Sequence, residues 1–312
     1  MKKRFSDAST LLEDYSGPLI LVDGDETSYV SNIEDPKNHW LYYAFKGFKV
    51  LKNHYSLDIN HFVTIATGPG IDAIGAMEIL NPERITVTDL VPSAIDRARE
   101  NISRYQLQGK KIPINYLVGN LCEPLGTDKA DIIYANIPNI PIETRKRNRL
   151  MEGITAASFF DPNTVRAVPQ CLNKHLLALQ YTFLKQAKKN ITPQGMIIIN
   201  LGVRFPLKIV KTLFDLAGYK YEILHFGFKK QTEPQDTIPG YARYEKDGII
   251  FTYYPYKQAV QTLSGKTIQK VDELMKLLKP LEITSTKAQK LSLKGEEVGH
   301  IVTVLGAKPK SH

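Results

Sequence analysis

Cysteine is nearly absent from this chain. Its two cysteines, Cys122 and Cys171, build no disulfide framework and have no metal-ligand spacing, so no metal site is expected. Long apolar runs are missing too. The longest early one, Pro18-Leu-Ile-Leu-Val22, is too short for a signal-peptide core or a membrane span. The net charge is +9, yet there is no basic stripe interleaved with aromatics of the kind that single-strand binders use. The lysines are scattered, densest over 266–294 and 185–189, and a nucleic-acid partner is admitted rather than demanded. These absences point to a cytoplasmic, enzyme-like protein with no membrane partner. The 312 residues, 43% hydrophobic and 23% charged, suit one large domain with appendages or two small ones.

The stretch Phe62–Ala76 organises what is there. It reads as a buried strand over 62–66, a tight turn at Gly68-Pro69-Gly70, then an apolar helix. Two glycines at a strand end let the backbone approach a ligand, and the helix that follows aims unsatisfied N–H groups at the same place. Nineteen residues past Gly70, a second strand, Ile85–Asp89, ends in an acid. An acid at that distance accepts hydrogen bonds from ribose hydroxyls, which makes the unit a nucleoside-binding half-sheet.

Upstream, Pro18–Val22 and Thr27–Val30 flank Asp23-Gly24-Asp25 as a candidate hairpin, and Met1–Leu12 is expected to be loosely held. A helix is expected from Asp35 as N-cap and Pro36, with Trp40, Tyr43, Phe45 and Leu51 on its apolar side as lid or core. Downstream, strands at 85–89, 114–118, 131–135 and 196–201 alternate with helices at 70–80, 92–105, 171–190 and 206–217. Such alternation predicts a parallel sheet covered on both faces. Residues 219–225 and 248–254 read as an antiparallel pair at the sheet edge, joined by a long loop over 229–247. The expected organisation is a cap over 1–60, a core domain over 61–255, and a helix-strand appendage over 256–312. In the appendage, a helix over 267–278 and a strand over 300–305 are expected.

Ligands of open parallel sheets bind at the carboxyl ends of the strands. Those ends supply Thr67, Gly68 and Gly70; then Asp89; then Asn120 and Leu121; then Asn136-Ile137-Pro138-Asn139. The Asn120 amide can offer its oxygen to an exocyclic adenine amine, and Asn136 presents another beside a rigid proline.

As an ordered set these residues resemble the class I S-adenosylmethionine-dependent methyltransferases. Within them the chain is most similar to the branch holding the HemK/PrmC protein-glutamine and adenine-N6 methyltransferases. The Ile-Pro-amide element and the later Asn200-Leu-Gly-Val-Arg204 turn also resemble the N-terminal domain of plant methionine S-methyltransferases. The resemblance spans about residues 40–255. It implies an α/β fold, a Rossmann-like doubly wound, mostly parallel seven-stranded sheet with an antiparallel edge strand, and S-adenosyl-L-methionine as cofactor. It implies cofactor binding by Thr67, Gly68, Gly70, Asp89, Asn120, Leu121 and Asn136, and a catalytic element at Asn136, Pro138 and Asn139. Arg204 is the candidate for a substrate carboxylate, in a bidentate fork.

Several positions depart from the family's pattern. Thr64 stands where it often has an acid, Ala66 where it has a glycine, and Asn120 where it usually has Asp. Asn139 replaces the aromatic ring that stacks on a planar amide or base, a surface worth about 1–3 kcal/mol. The expected acceptor is therefore a small molecule, an amino acid or a thioether such as methionine, with a protein glutamine or RNA as the alternative. Two other readings compete. Gly68–Ala73 also fits the G-x-G-x-x-A fingerprint of a NAD-dependent dehydrogenase. The altered residues also suit a non-catalytic RNA- or protein-binding module on the same fold.

Overall fold

The computed structural model describes residues 4–13, 15, 18–24, 33, 35–55, 58–109, 111–140 and 167–310. In chain order the elements begin with β1 (Arg4–Asp7), β2 (Ile20–Gly24), α1 (Trp40–His54), β3 (His61–Ile65) and α2 (Ile71–Ile79). They continue with β4 (Arg84–Asp89), α3 (Pro92–Gln108), β5 (Ile114–Val118), β6 (Ala130–Ala135), α4 (Gln170–Lys174) and α5 (Ala178–Ala187). Then follow β7 (Ile191–Val203), α6 (Leu207–Ala217), β8 (Tyr219–Lys230), α7 (Pro234–Arg243) and β9 (Thr252–Pro255). The last are α8 (Tyr256–Leu263), α9 (Val271–Leu278), β10 (Ile283–Thr284), α10 (Ser285–Leu293) and β11 (Val298–Pro309).

The main sheet runs β5-β4-β3-β6-β7-β11-β8. The first five strands are parallel, and β11 is antiparallel to both of its neighbours. One face packs on α1, α2 and α3 through Phe48, Phe62, Ile74, Ile102, Ile132, Tyr134 and Val304. The other buries Ile133, Ile197, Ile199 and Leu201 with Phe183, Leu213 and Phe214 from α5 and α6. Alternate residues of β6 and β7 divide between the two faces, as strand geometry requires. The doubly wound, mostly parallel α/β sheet is thus the one expected.

The pairing at its far side is not. Residues 219–225 and 248–254 do not pair; the antiparallel strand is β11, expected to stand apart in a C-terminal appendage. It lies inside the sheet, with Thr303 opposite Leu201 on one side and Phe226 on the other. Val298 to Ala307 are all buried, which only an interior strand covered on both faces achieves. The stretch read as a long loop holds α7, with Pro234 at its first position. There a missing N–H costs nothing, whereas Pro239 lies inside the helix and forfeits one of its bonds. Strand β9 pairs with the start of β11, and β10 with β9.

Smaller differences have local causes. Pro36–Asn38 forms a separate 3-10 turn and Asp35 does not cap α1; the His39 ring does, accepting from Leu41 N–H at 3.1 Å. The helix expected over 171–190 is broken at Leu176, whose φ is +61°. Near the N-terminus β2 pairs with β1; the other strand of the candidate hairpin, Thr27–Val30, falls outside the described residues. Among the described residues no helix is long and apolar enough to cross a membrane, and no cluster of metal-ligating side chains occurs.

Candidate active site

The β3–α2 turn is built from three left-handed residues, Ala66 (φ +58°), Gly68 (φ +57°) and Gly70 (φ +81°). A Cβ on Gly70 would lie 3.0 Å from the Cα of Ala98, so this glycine lets α3 pack against the turn. A Cβ on Gly68 would meet nothing within 4 Å; its backbone faces open space. Asp89, at the end of β4, ties the turn in place. Its Oδ2 accepts from Gly68 N–H and its Oδ1 from Val91 N–H, both at 2.9 Å. Burial raises its carboxyl above the usual range, against the lowering effect of those two amides. A carboxylate has about four acceptor positions, so lone pairs remain for further donors.

Asp72, in the first turn of α2, was not singled out in the sequence. Its carboxylate accepts from the Thr64 hydroxyl and, at 2.6 Å, from the Thr67 hydroxyl. Desolvation raises Asp72 to about 6, against hydrogen bonds from Thr64, Thr67 and its own helix start. The signal was available: an acid inside the otherwise uncharged stretch Ile71–Met77.

At the end of β5, Asn120 is half-buried and donates to Glu123 Oε1 at 3.3 Å, while Leu121 is buried with φ +48°. At the end of β6, Asn136 and Pro138 are half-buried and Asn139 is buried. The Ile137 carbonyl accepts from the buried Gln180 amide at 2.8 Å, so that carbonyl is turned into α5. Asn139 is held at both ends. Its amide donates to Gly202 O at 3.3 Å, and its carbonyl accepts from the Tyr241 hydroxyl at 2.8 Å.

Arg204 follows β7 and is only 1% exposed. Its Nη2 donates to Gln231 Oε1 at 2.7 Å, and its guanidinium lies 5.1 Å from the Tyr241 ring centre and 5.6 Å from that of Tyr253. Gly202 makes room for it, since a Cβ there would lie 2.5 Å from Arg204 Nη1 and 3.0 Å from the Trp40 ring. Nε and Nη1 find no hydrogen-bond partner among the described residues. Two further basic side chains that sequence reasoning missed stand beside it, Lys229 on β8 and His300 on β11, both fully buried. The local pattern marks neither: Lys229 is followed by Lys230 after Phe226-Gly-Phe228, and His300 precedes the run Ile301-Val-Thr-Val-Leu305.

Residues 50–148 match the family model described as ribosomal protein L11 methyltransferase (PrmA). A bifunctional methyltransferase of Rickettsia conorii is 24% identical over 182 residues, 58% of this chain and 32% of that protein. The corresponding protein of Rickettsia felis is 26% identical over 161 residues, 52% and 28% respectively. The match thus spans about a third of the length of these relatives or less. A solved ribosomal protein L11 methylase from Lactobacillus delbrueckii subsp. bulgaricus covers 64% of this chain and 74% of its own, at 15% identity and a TM-score of 0.40. The family match lies across β3 to β6 and the strand ends that they contain, so it is this part of the chain that is similar to a methyltransferase domain.

Proposed function

We propose that this domain transfers a methyl group from S-adenosyl-L-methionine to a small molecule, an amino acid or a thioether such as methionine. The carrying observation is that candidate residues from four separate stretches fall at the carboxyl ends of four neighbouring strands, in the order β5, β4, β3, β6. The residues fit the cofactor. Gly68 leaves its backbone open to close approach, and Asp89 at the next strand end keeps acceptor positions for ribose hydroxyls. Asn120 and Leu121 would border the adenine, with Thr67 and Gly70 shaping the turn.

Bound there, the cofactor would supply an electrophilic methyl carbon carried on a sulfonium, with the sulfur as leaving group. The chain's part is alignment and exclusion of water, worth about 7–11 kcal/mol when geometry is held. Asn136 and Pro138 would face the reacting atoms. Asn139 and Gln180 act one step behind, fixing that loop against β7 and α5. The Ile137 carbonyl is engaged by Gln180, so aiming of an amine lone pair would fall to Asn136. A thioether acceptor has no proton to lose and needs no base.

A protein acceptor is the second reading, and the name of the matched family favours it. Transfer of a labelled methyl group decides between them: label recovered on an amino acid or thioether supports the first, label on protein the second. Calorimetric titration tests the cofactor itself. Binding of NADH without binding of S-adenosylhomocysteine would overturn both.

A further inference from the structure

The far side of the sheet holds a group of buried basic side chains with no acid beside them among the described residues. Lys229 and His300 are direct cross-strand partners of β8 and β11, so their side chains leave the sheet on the same face. The Lys229 ammonium lies 5.0 Å from the Trp40 ring centre, and the His300 ring is 5.6 Å from the same indole. Trp40 also borders Arg204 above Gly202. One side chain from the start of α1 therefore touches the surroundings of all three bases.

Their hydrogen bonding is incomplete. Arg204 Nε and Nη1 and both ring nitrogens of His300 have no partner among the described residues, and all three side chains are essentially inaccessible. Lys229 donates to the carbonyl of Lys230 at 2.9 Å, which leaves two of its three donors. No carboxylate forms an ion pair with any of the three among the described residues. Neighbours among the described residues are polar but uncharged: Gln231, Tyr241 and Tyr253 beside Arg204, and near Lys229 the half-buried His39, whose ring is engaged in capping α1.

Buried cations are normally paired, because low dielectric makes an isolated charge very costly. A guanidinium, a lysine amine and an imidazole that converge without an acid among the described residues have the donor set of an oxyanion site. We infer that Arg204, Lys229 and His300 bind the anionic group of the methyl acceptor, a carboxylate or a phosphate. The placement suits that role. Asn139 links the two sites, its amide on Gly202 at 3.3 Å while Arg204 folds back over the same glycine. Adjacent strands are about 4.8 Å apart, so the bases at β7, β11 and β8 stand one to three spacings, roughly 5–14 Å, from the β6 end where the methyl would arrive. An acceptor of amino-acid size, or one with a short chain between its anion and its nucleophile, spans that gap. This inference rests on the methyltransferase reading for the word acceptor, and on the cluster alone for the anion.

Trp40 is the chain's single tryptophan, so its emission reports on the cluster directly. Titration of the full chain with succinate or with inorganic phosphate is expected to give a saturable change in that emission, which chloride at equal ionic strength does not reproduce. The tighter of the two probes identifies carboxylate or phosphate as the natural group. Lys229→Met, which keeps the aliphatic stem, and Arg204→Gln should each weaken the response about tenfold or more. A response absent in the parent chain, or undiminished in Lys229→Met, overturns the site. Calorimetry with S-adenosylhomocysteine on the same sample separates the two readings. Cofactor binding without an anion response sinks the site and leaves the methyltransferase standing. An anion response without cofactor binding sinks the assignment to a methyl acceptor.

Discussion

Lys229 and His300 face each other across the antiparallel pairing of β8 with β11, two basic side chains in one buried register position. Burial and the nearby Arg204 hold the Lys229 ammonium down to about 7, and the same two cations with burial keep His300 neutral. The pair is therefore a source of strain in the free protein.

Lys229→Met should relieve it. A lysine whose folded value lies below its unfolded value contributes stability at pH above about 10.5, and that contribution is lost as pH falls through about 7. At pH 7 the variant is expected to melt higher than the parent, by ~2–4 °C for each kcal/mol gained. The difference should shrink as pH is raised towards 10, followed by circular dichroism melts of both chains.

Asp72 gives a signature of opposite sense. Its folded value is raised to about 6, so its favourable contribution is complete below the unfolded value near 3.8 and is lost as pH rises through 6. Asp72→Asn is expected to flatten the stability profile between pH 4 and 6 relative to the parent. Urea midpoints measured across that window would show it; an unchanged slope would mean that the carboxyl is not desolvated as described.

Gly68 and Gly70 should separate binding from folding. Gly70→Ala drives a Cβ to within 3.0 Å of the Ala98 backbone at φ +81°, and is expected to cost about 1–3 kcal/mol of stability. Gly68→Ala meets nothing, so it should cost only the left-handed penalty of about 1–2 kcal/mol while weakening S-adenosylhomocysteine binding, read by calorimetry.

Ala66 carries an alanine at φ +58°. Replacing it with glycine removes the left-handed penalty but enlarges the freedom of the unfolded chain, for a net gain of about 0.5–1 kcal/mol. A higher urea midpoint with unchanged slope is the expected readout.

Asp89→Ala should weaken S-adenosylhomocysteine binding by about tenfold or more, because it removes both the proposed ribose acceptor and the tie to Gly68. Affinity equal to that of the parent would remove the ribose role.

What the sequence made legible follows from locality. The Gly68-Pro69-Gly70 turn, the acid at 89 and the proline element at 136–139 are each written in a few consecutive residues, and periodicity placed the strands around them. The cationic cluster was illegible because its members come from 40, 204, 229 and 300, brought together only by the pairing of β11 between β7 and β8. That pairing was missed because α7 hides in a stretch rich in proline, and because the strand at 300–305 has no local mark that distinguishes an interior strand from an appended one. Asn136–Asn139 was found, yet its anchors, Gln180 and Tyr241, lie about 40 and 100 residues away.

The central position of β11 also orders assembly in time. The pairings among β3 to β7 span about 70 residues or fewer, but β8 joins the main sheet through β11, which pairs Thr303 with Leu201 across about 100 residues of chain. Contacts of such separation form late, because loop closure must precede the reward of pairing. The half of the sheet that holds the nucleoside turn can therefore mature first, while the half that holds the buried bases closes last, and hydrogen exchange should find the amides of β8 and β11 opening together.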